Sequence, residues 1–173
     1  DTGDILLVEK VKLDSKETGG SLFDKLSGVG AALLVKTLDE LEKGTVKPVK
    51  QNETEATHVK MLDKSFGNID FSMEAARIER LIRGLNPWPS AFTHFNGKLL
   101  KIWDADVCDD VVCESGESVV NGMITQVDNN SFIVKCGDNS LKINELQLEG
   151  KKRMKTQDFL RGNHINTGDI LGK

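Results

Sequence analysis

The spacing of hydrophobic residues over the first 44 positions predicts one strand followed by one helix. Residues 5–13 form an apolar, β-branched stretch without helix breakers, which is typical of a strand. Thr18 then provides helix-start chemistry, and leucines and valines recur at spacings of three and four from Leu22 to Leu41. Gly44 is expected to end that helix. One strand and one helix cannot bury such an apolar face, so we expect it to pack against a larger sheet.

A second domain is predicted after a polar stretch. Residues 45–68 show no sustained periodicity and are interpreted as a linker, so the second domain begins near Ile69. Ser72 is expected to cap an amphipathic helix that Pro87 ends. Arginine recurs at every third position of this helix, which predicts a basic stripe on its exposed side.

Beyond this helix the hydrophobic period changes to two, which indicates strands. Asn96-Gly97 between two such segments predicts a hairpin with a type I′ turn. The five predicted strands are residues 91–95, 98–105, 119–127, 132–136 and 141–148. A short helix capped by Thr156 follows. The pattern is typical of a mainly β fold with helices, and an OB-type five-stranded β-barrel fits it better than an open sheet. A five-stranded sandwich is the alternative.

Composition and charge narrow the functional classes. Hydrophobic residues make up 38% and charged residues 29% of the 173 positions, and no apolar run is long enough to span a bilayer, so a membrane role is not expected. The net charge of −4 argues against nucleic acid, but the charges are segregated. Residues 76–103 hold five basic residues and one acidic residue, whereas residues 104–117 hold six acidic residues and no basic one. Local patches decide binding to phosphate, so a nucleic-acid partner stays open.

Several lysines and arginines are candidates for contact with the phosphates of a folded RNA. Each contact would release condensed counterions, and a cluster of contacts supports salt-sensitive binding. The alternative is that these charges only form solvated faces. The acidic residues from Asp104 to Glu117 are expected to point away from the RNA. The candidates are Lys60, Lys64, Arg77, Arg80, Arg83, Lys98, Lys101, Lys151, Lys152, Arg153 and Lys155.

Cysteines and aromatic residues give weaker indications. Cys108, Cys113 and Cys136 are too few for a disulfide framework, which favours a reducing cytosol. The three could bind zinc together with His94, but no supporting spacing is present, so buried thiols are favoured and no metal site is predicted. Trp88 and Trp103 are expected to pack in the core or at the barrel rim. With few aromatic residues, recognition of an RNA backbone is favoured over base stacking.

Three segments in a fixed order resemble a known family. Residues 1–6 (DTGDIL), residues 78–89 (IERLIRGLNPWP) and residues 146–154 (LQLEGKKRM) resemble methionyl-tRNA formyltransferase. The resemblance extends along the whole chain. Val119-Val120-Asn121-Gly122 and His58-Val59 depart from the family pattern, which puts the geometry of those two loops in doubt.

The resemblance implies a domain organisation and a reaction. Residues 1–44 would be the C-terminal remnant of a Rossmann-like α/β formyltransferase domain, residues 45–68 a linker and residues 69–173 an OB-type tRNA-binding domain. The family transfers a formyl group from 10-formyltetrahydrofolate to the α-amino group of methionyl initiator tRNA, without a metal. Asp1 matches the family's catalytic aspartate, whose Asn and His partners would lie upstream.

The resemblance also sets expectations for the chain itself. Since the chain has no initiator Met, we expect it to begin within a longer protein and to be inactive alone. The parent enzyme is expected to be a monomer in the cytoplasm, or in an organellar matrix if the source is eukaryotic. Alternatives are a module of formyltetrahydrofolate dehydrogenase, an amino-sugar formyltransferase, or a free-standing OB-fold RNA-binding module without an enzyme.

Overall fold

The computed structural model describes residues 2–110 and 119–172, which form two compact units. The first unit is Asp1–Met61 and the second is Leu62–Lys173. The boundary divides the segment interpreted as a linker, residues 45–68, between the two units.

The first unit is built around helix α1, Gly19–Glu42. The helix begins as predicted, because the Thr18 side chain accepts a hydrogen bond from the Ser21 amide and the Ser21 hydroxyl accepts one from the Thr18 amide. It ends at Glu42, and Gly44 follows the C-cap residue Lys43 with a φ of +66°, which suits glycine. Most large apolar side chains of α1 are exposed, and Phe23 is 72% exposed, whereas Leu22, Val29 and Leu33 are half-buried.

The predicted strand over residues 5–13 is wrong. Only Ile5 pairs, with Val49, in an isolated antiparallel bridge whose two N···O distances are 2.8 and 2.9 Å. Among the described residues, residues 6–13 have no neighbouring strand, and a β-strand cannot form without a partner for its backbone groups. A 3₁₀ turn, Glu53–Glu55, follows in the same unit.

Helix α2 opens the second unit's fold after a 3₁₀ turn at Lys64–Gly67. It spans Ala75–Gly84 and buries Ala75, Ile78 and Ile82. The expectation that Ser72 caps this helix is wrong, because the Ser72 hydroxyl donates to Asp70 instead, at 2.7 Å. The Ala75 amide donates to the Asp138 carboxylate, at 2.8 Å, so a residue from a distant turn caps α2.

Six antiparallel strands form one sheet, and its mainly β character confirms the predicted class. The sheet order is β1-β2-β5-β4-β3, and β6 pairs with β5. Asn96 and Gly97 join β1 and β2 with φ values of 51° and 72°, as a type I′ turn requires. The strands are β1 Ala91–Phe95, β2 Lys98–Cys108, β3 Ile124–Val127, β4 Phe132–Lys135, β5 Ser140–Leu148 and β6 Met154–Lys155.

The closed five-stranded OB-type barrel is not confirmed, because the sheet is open and has six strands. The outer edges of β1 and β3 are covered by irregular segments of chain. Gly172 donates to the carbonyl of His94 in β1, and Asp169 accepts from the amide of Ile124 in β3, at 2.9 and 2.8 Å. The C-terminal segment, residues 168–172, therefore covers both edges where a barrel would pair one strand with the other.

Two predicted boundaries are also corrected. Strand β3 begins at Ile124 rather than at Val119, because Gly122 adopts a φ of +84° and turns the chain before the strand. Thr156 is the first residue of helix α3, Thr156–Leu160, rather than its cap, and its side chain is buried. Phe159 of α3, 1% exposed, packs into the same core as Ile78 and Leu146.

Candidate nucleic-acid interface

A bulge in β2 positions a tryptophan beneath the surface of the second unit. The pairing of β2 with β5 shifts register between Ile102 and Asp104, so Ile102 and Trp103 are both buried although they are neighbours in sequence. Trp103 is 9% exposed, as predicted, and its backbone carbonyl accepts from Asn86 Nδ2 at 3.3 Å. The hydrogen bond from Asn86 ties the backbone of the bulge to the loop that follows α2.

Two cations lie over the indole of Trp103. The guanidinium carbon of Arg153 is 4.8 Å from the ring centroid, and the Nζ atom of Lys101 is 5.6 Å from it. Both distances fall within about 6 Å, the range of a cation–π interaction. Lys101 belongs to β2, whereas Arg153 precedes β6, so strand pairing brings together two residues that are 52 positions apart (153 − 101).

A carboxylate lies among these cations. Arg153 Nη2 donates to Glu145 Oε2 at 2.5 Å, and Lys155 Nζ is 3.8 Å from the same oxygen. The hydrogen bond from Arg153 holds the pKa of Glu145 below its usual range, although partial burial opposes this effect. We refer to Lys101, Trp103, Glu145, Arg153 and Lys155 as the Trp103 cluster. Its net positive charge is smaller than its three cations alone would give.

The other predicted cations lie in the second unit, except for Lys60. Arg77 and Arg80 are exposed on α2, which packs against β2. Arg83 is tied to Glu79 in an ion pair, with an Nε···Oε1 distance of 2.7 Å. Further exposed candidates are Lys64 in the 3₁₀ turn, Lys98 at the start of β2, and Lys151 and Lys152 between β5 and β6. Lys60 is exposed in the first unit.

The expectation that the acidic stretch points away from the RNA stays a prediction. Asp104 is the register partner of Glu145, so the stretch begins beside the Trp103 cluster. Asp110, further along, pairs with Lys135 and accepts from Ser140 Oγ at 2.8 Å. Residues 111–118, which hold the rest of the stretch, lie outside the described residues.

Several other sequence candidates can now be placed. Asp1 and Cys113 lie outside the described residues, so the catalytic interpretation of Asp1 stays a prediction. Trp88 is 59% exposed, which contradicts the expectation that it packs internally. Burial raises the pKa of the Cys136 thiol to about 12. Residues 2–110 and 119–172 contain no group of three side chains suited to a metal, and no helix there is long and apolar enough to cross a membrane.

Sequence reasoning missed Glu145 and strand β6. The run from Lys151 to Lys155 suggested only a charged loop, and nothing local shows that Met154 and Lys155 pair with β5. The register Glu145↔Lys155 depends on the pairing of strands β5 and β6, which no local sequence pattern predicts. An isolated glutamate on a predicted strand gave no signal that it would bind two cations.

Comparisons with known proteins agree on one family. Residues 61–164 match the family described as formyl transferase, C-terminal domain. The chain is 62% identical over 173 residues to methionyl-tRNA formyltransferase of Lachnospira eligens, covering all of this chain and 55% of that protein. It is 49% identical over 171 residues to the enzyme of the same name from Agathobacter rectalis, covering 99% of this chain and 54% of that protein. The chain thus spans about half the length of the curated relatives it matches.

Solved structures share the fold at low identity. HypX from Aquifex aeolicus in complex with tetrahydrofolic acid matches with a TM-score of 0.60 and 13% identity, covering 98% of this chain and 31% of that one. WlaRD, a sugar 3N-formyl transferase, matches with a TM-score of 0.51 and 16% identity, covering 79% of this chain and 46% of that one. At these identities the likeness concerns the fold alone.

Proposed function

The chain belongs to the formyl transferase C-terminal domain family, and from that premise we propose that it is the tRNA-binding portion of a methionyl-tRNA formyltransferase. The parent protein transfers a formyl group from 10-formyltetrahydrofolate to the α-amino group of methionyl initiator tRNA. The names of the two relatives support the substrate class, and tetrahydrofolic acid in the related HypX structure supports a folate donor. Such a protein works in the cytoplasm, or in the matrix of an organelle.

The observation that carries the RNA-binding part of this proposal is the Trp103 cluster. Lys101, Arg153 and Lys155 come from two strands and the turn between β5 and β6, and the sheet gathers them around one indole and one carboxylate. A guanidinium fixed by a ring and a carboxylate is held ready for a phosphate with little further loss of side-chain freedom. Glu145 offsets part of the attraction, so we expect modest, salt-sensitive affinity.

The test is the salt dependence of initiator methionyl-tRNA binding by this chain. The perturbed variant combines Lys101→Gln, Arg153→Gln and Lys155→Gln, which removes three charges while keeping polar side chains. Each phosphate contact adds about 0.9 to the slope of log affinity against log salt in a duplex. We therefore expect weaker binding and a slope smaller by about 2–3 if all three residues meet phosphates.

Lys142→Gln is the matched control, because it removes one exposed lysine from the same sheet. Lys142 pairs in register with Asp106 of β2 and Ile133 of β4, on a different stretch of β5 from Glu145. The control variant is expected to bind tRNA with the wild-type affinity and slope. A folded triple variant whose slope equals that of the wild type would contradict the proposed surface.

A second pair of lysines extends the proposed surface. Lys151 and Lys152 are exposed in the turn that leads to β6. Lys151→Ala combined with Lys152→Ala is expected to weaken tRNA binding and to flatten its salt slope, because exposed lysines there can also meet phosphates. An unchanged affinity and slope would remove this turn from the surface.

Formyl transfer itself requires residues beyond those of this chain. Of the family's catalytic residues, Asp1 is the one position in this sequence that corresponds, and it would orient and charge a histidine that assists proton removal from the attacking amine. We propose that the purified chain does not formylate methionyl-tRNA when 10-formyltetrahydrofolate is supplied. Formylmethionyl-tRNA above the protein-free background would contradict this expectation.

A further inference from the structure

A cleft on the second unit lies between the β3–β4 turn and helix α3. Its volume is about 360 Å³, within the range of about 300–1,000 Å³ that is usual for small-ligand sites. Leu160 and Ile165 provide apolar surface, while Asn129, Gln157 and His164 provide polar groups. Arg161 also lines the cleft, and its Nη1 atom forms an ion pair with Asp158 Oδ1 at 3.0 Å. The cleft is separate from the Trp103 cluster, because none of the cluster's five residues lines it.

The acidic group in the cleft is already engaged. Asp128 Oδ1 accepts from the amides of Asn130 and Ser131 at 2.6 and 2.7 Å, and Asp128 Oδ2 accepts from Ser131 Oγ at 3.0 Å. These bonds hold the pKa of Asp128 below its usual range and fix the turn. The carboxylate is thus committed to the turn, whose next residue is Asn129.

Three polar side chains of the cleft remain available. The side chains of Asn129, Gln157 and His164 have no hydrogen-bond partner among residues 2–110 and 119–172. Asn163 Nδ2 donates to the carbonyl of Phe159 at 2.9 Å, which orients this amide and leaves its oxygen able to accept. A primary amide carries both donors and an acceptor, as the hydrogen-bonding edge of a nucleobase does.

We propose that this cleft binds the base of an unpaired nucleotide in the RNA. Apolar surface beside amide donors and acceptors suits a planar heterocycle, because the Arg161 guanidinium is already paired with Asp158. Unpaired bases are what proteins recognise in RNA by their edges. Gln157 in the cleft is only two residues after Lys155 of the Trp103 cluster, so an RNA strand that crosses the cluster can reach the cleft. The inference rests on the proposed tRNA binding and adds a base contact to it.

A base contact and a phosphate contact differ in their dependence on salt. Removal of a lysine or arginine that meets a phosphate changes the slope of log affinity against log salt, because fewer counterions are released. Removal of a neutral amide that contacts a base lowers affinity by the same factor at every salt concentration. The phosphate contacts of the Trp103 cluster and the base contact of the cleft can therefore be refuted separately.

The test uses Asn129→Ala combined with Gln157→Ala, measured against initiator methionyl-tRNA and against a blunt RNA duplex. We expect affinity for tRNA to fall about tenfold, or about 1.4 kcal/mol, with an unchanged salt slope. Duplex binding should stay unchanged, because a blunt duplex offers no unpaired base. Asn130→Ala is the control, since Asn130 is the same residue type in the same turn but does not line the cleft.

Three outcomes would overturn the cleft proposal. The first is a folded double variant with wild-type affinity for tRNA, and the second is an equal loss of affinity for tRNA and duplex. The third combines two results: NMR detects binding of nucleoside monophosphates at the cleft residues of the wild type, and the double variant has an unchanged affinity for tRNA. That combination would assign the cleft to free nucleotides. If the triple variant of the Trp103 cluster lowers the salt slope while the double variant has no effect, the cleft alone is refuted. If neither changes tRNA binding, the proposed RNA surface is refuted as well.

Discussion

Gly137→Ala tests how closely the β4–β5 turn approaches the start of α2. A Cβ atom at Gly137 would lie 2.1 Å from the carbonyl oxygen of Ser72 and 3.1 Å from that of Met73. Both obstacles are backbone atoms, so no side chain can rotate away. The Gly137 amide also donates to the Met73 carbonyl at 2.9 Å, and the neighbouring Asp138 caps Ala75. The turn must therefore withdraw, and these contacts must lengthen with it.

The loss of stability in Gly137→Ala has two causes, the steric clash of the new Cβ atom and the loss of a backbone hydrogen bond. Forcing a carbon into a packed site costs about 1–3 kcal/mol, and the lost backbone hydrogen bond costs about 1 kcal/mol. We expect the free energy of unfolding of the second unit to fall by about 2–4 kcal/mol. At about 4 °C per kcal/mol for a domain of this size, Tm would fall by roughly 8–16 °C.

Tryptophan fluorescence is the suitable assay, because both tryptophans, Trp88 and Trp103, belong to the second unit. Gly84→Ala is the matched control: a Cβ at Gly84 meets no atom within 4 Å, and alanine favours a helix. That variant should be as stable as the wild type or up to about 1 kcal/mol more stable. A Gly137→Ala protein that melts at the wild-type Tm would refute the close approach.

The remaining predictions concern an acid, a surface charge and the core. The hydrogen bond from the Ala75 amide lowers the pKa of Asp138, so the stabilisation by this carboxylate should be present above the usual aspartate range and be lost as pH falls through the lowered folded pKa. The free energy of unfolding of Asp138→Ala, measured with urea, should therefore change less with pH in the acid range than that of the wild type. An unchanged pH profile would contradict the cap. Glu145→Gln keeps an acceptor for Arg153 but removes the repulsion of phosphate, so tRNA affinity should rise severalfold at low salt. A fall in affinity would show that the ion pair, by orienting Arg153, contributes more than the repulsion costs. Phe159→Ala should cost about 3–5 kcal/mol in chemical denaturation, because the ring is buried, and a cost below about 1 kcal/mol would contradict the packing of α3.

Elements with strong local signals could be predicted from the sequence. The period of α2, the Asn96-Gly97 turn and the alternation along β1 and β4 all depend on neighbours within a few residues, and the structure confirms them. The stretches rich in lysine and arginine could likewise be identified from the sequence. What could be predicted was therefore the type of each short element and its approximate place.

Features that depend on distant residues could not be predicted. The stretch over residues 5–13 has the composition of a strand but no partner strand among the described residues. Asp138 caps a helix that begins 63 residues earlier, and no local pattern distinguishes it from an ordinary turn aspartate. The hold of Glu145 on Arg153 likewise depends on the pairing of β6 with β5. Local sequence contains none of these relations.

Lysine footprinting shows which lysines of this chain tRNA covers, and thereby whether the Trp103 cluster contacts tRNA. The chain is acetylated briefly with and without saturating initiator methionyl-tRNA, and modification at each lysine is measured by mass spectrometry. We expect strong protection of Lys101 and Lys155 and unchanged modification of Lys142, which is exposed elsewhere on the same sheet. Equal protection of all three lysines, or full modification of Lys101 and Lys155 in the complex, would contradict this expectation.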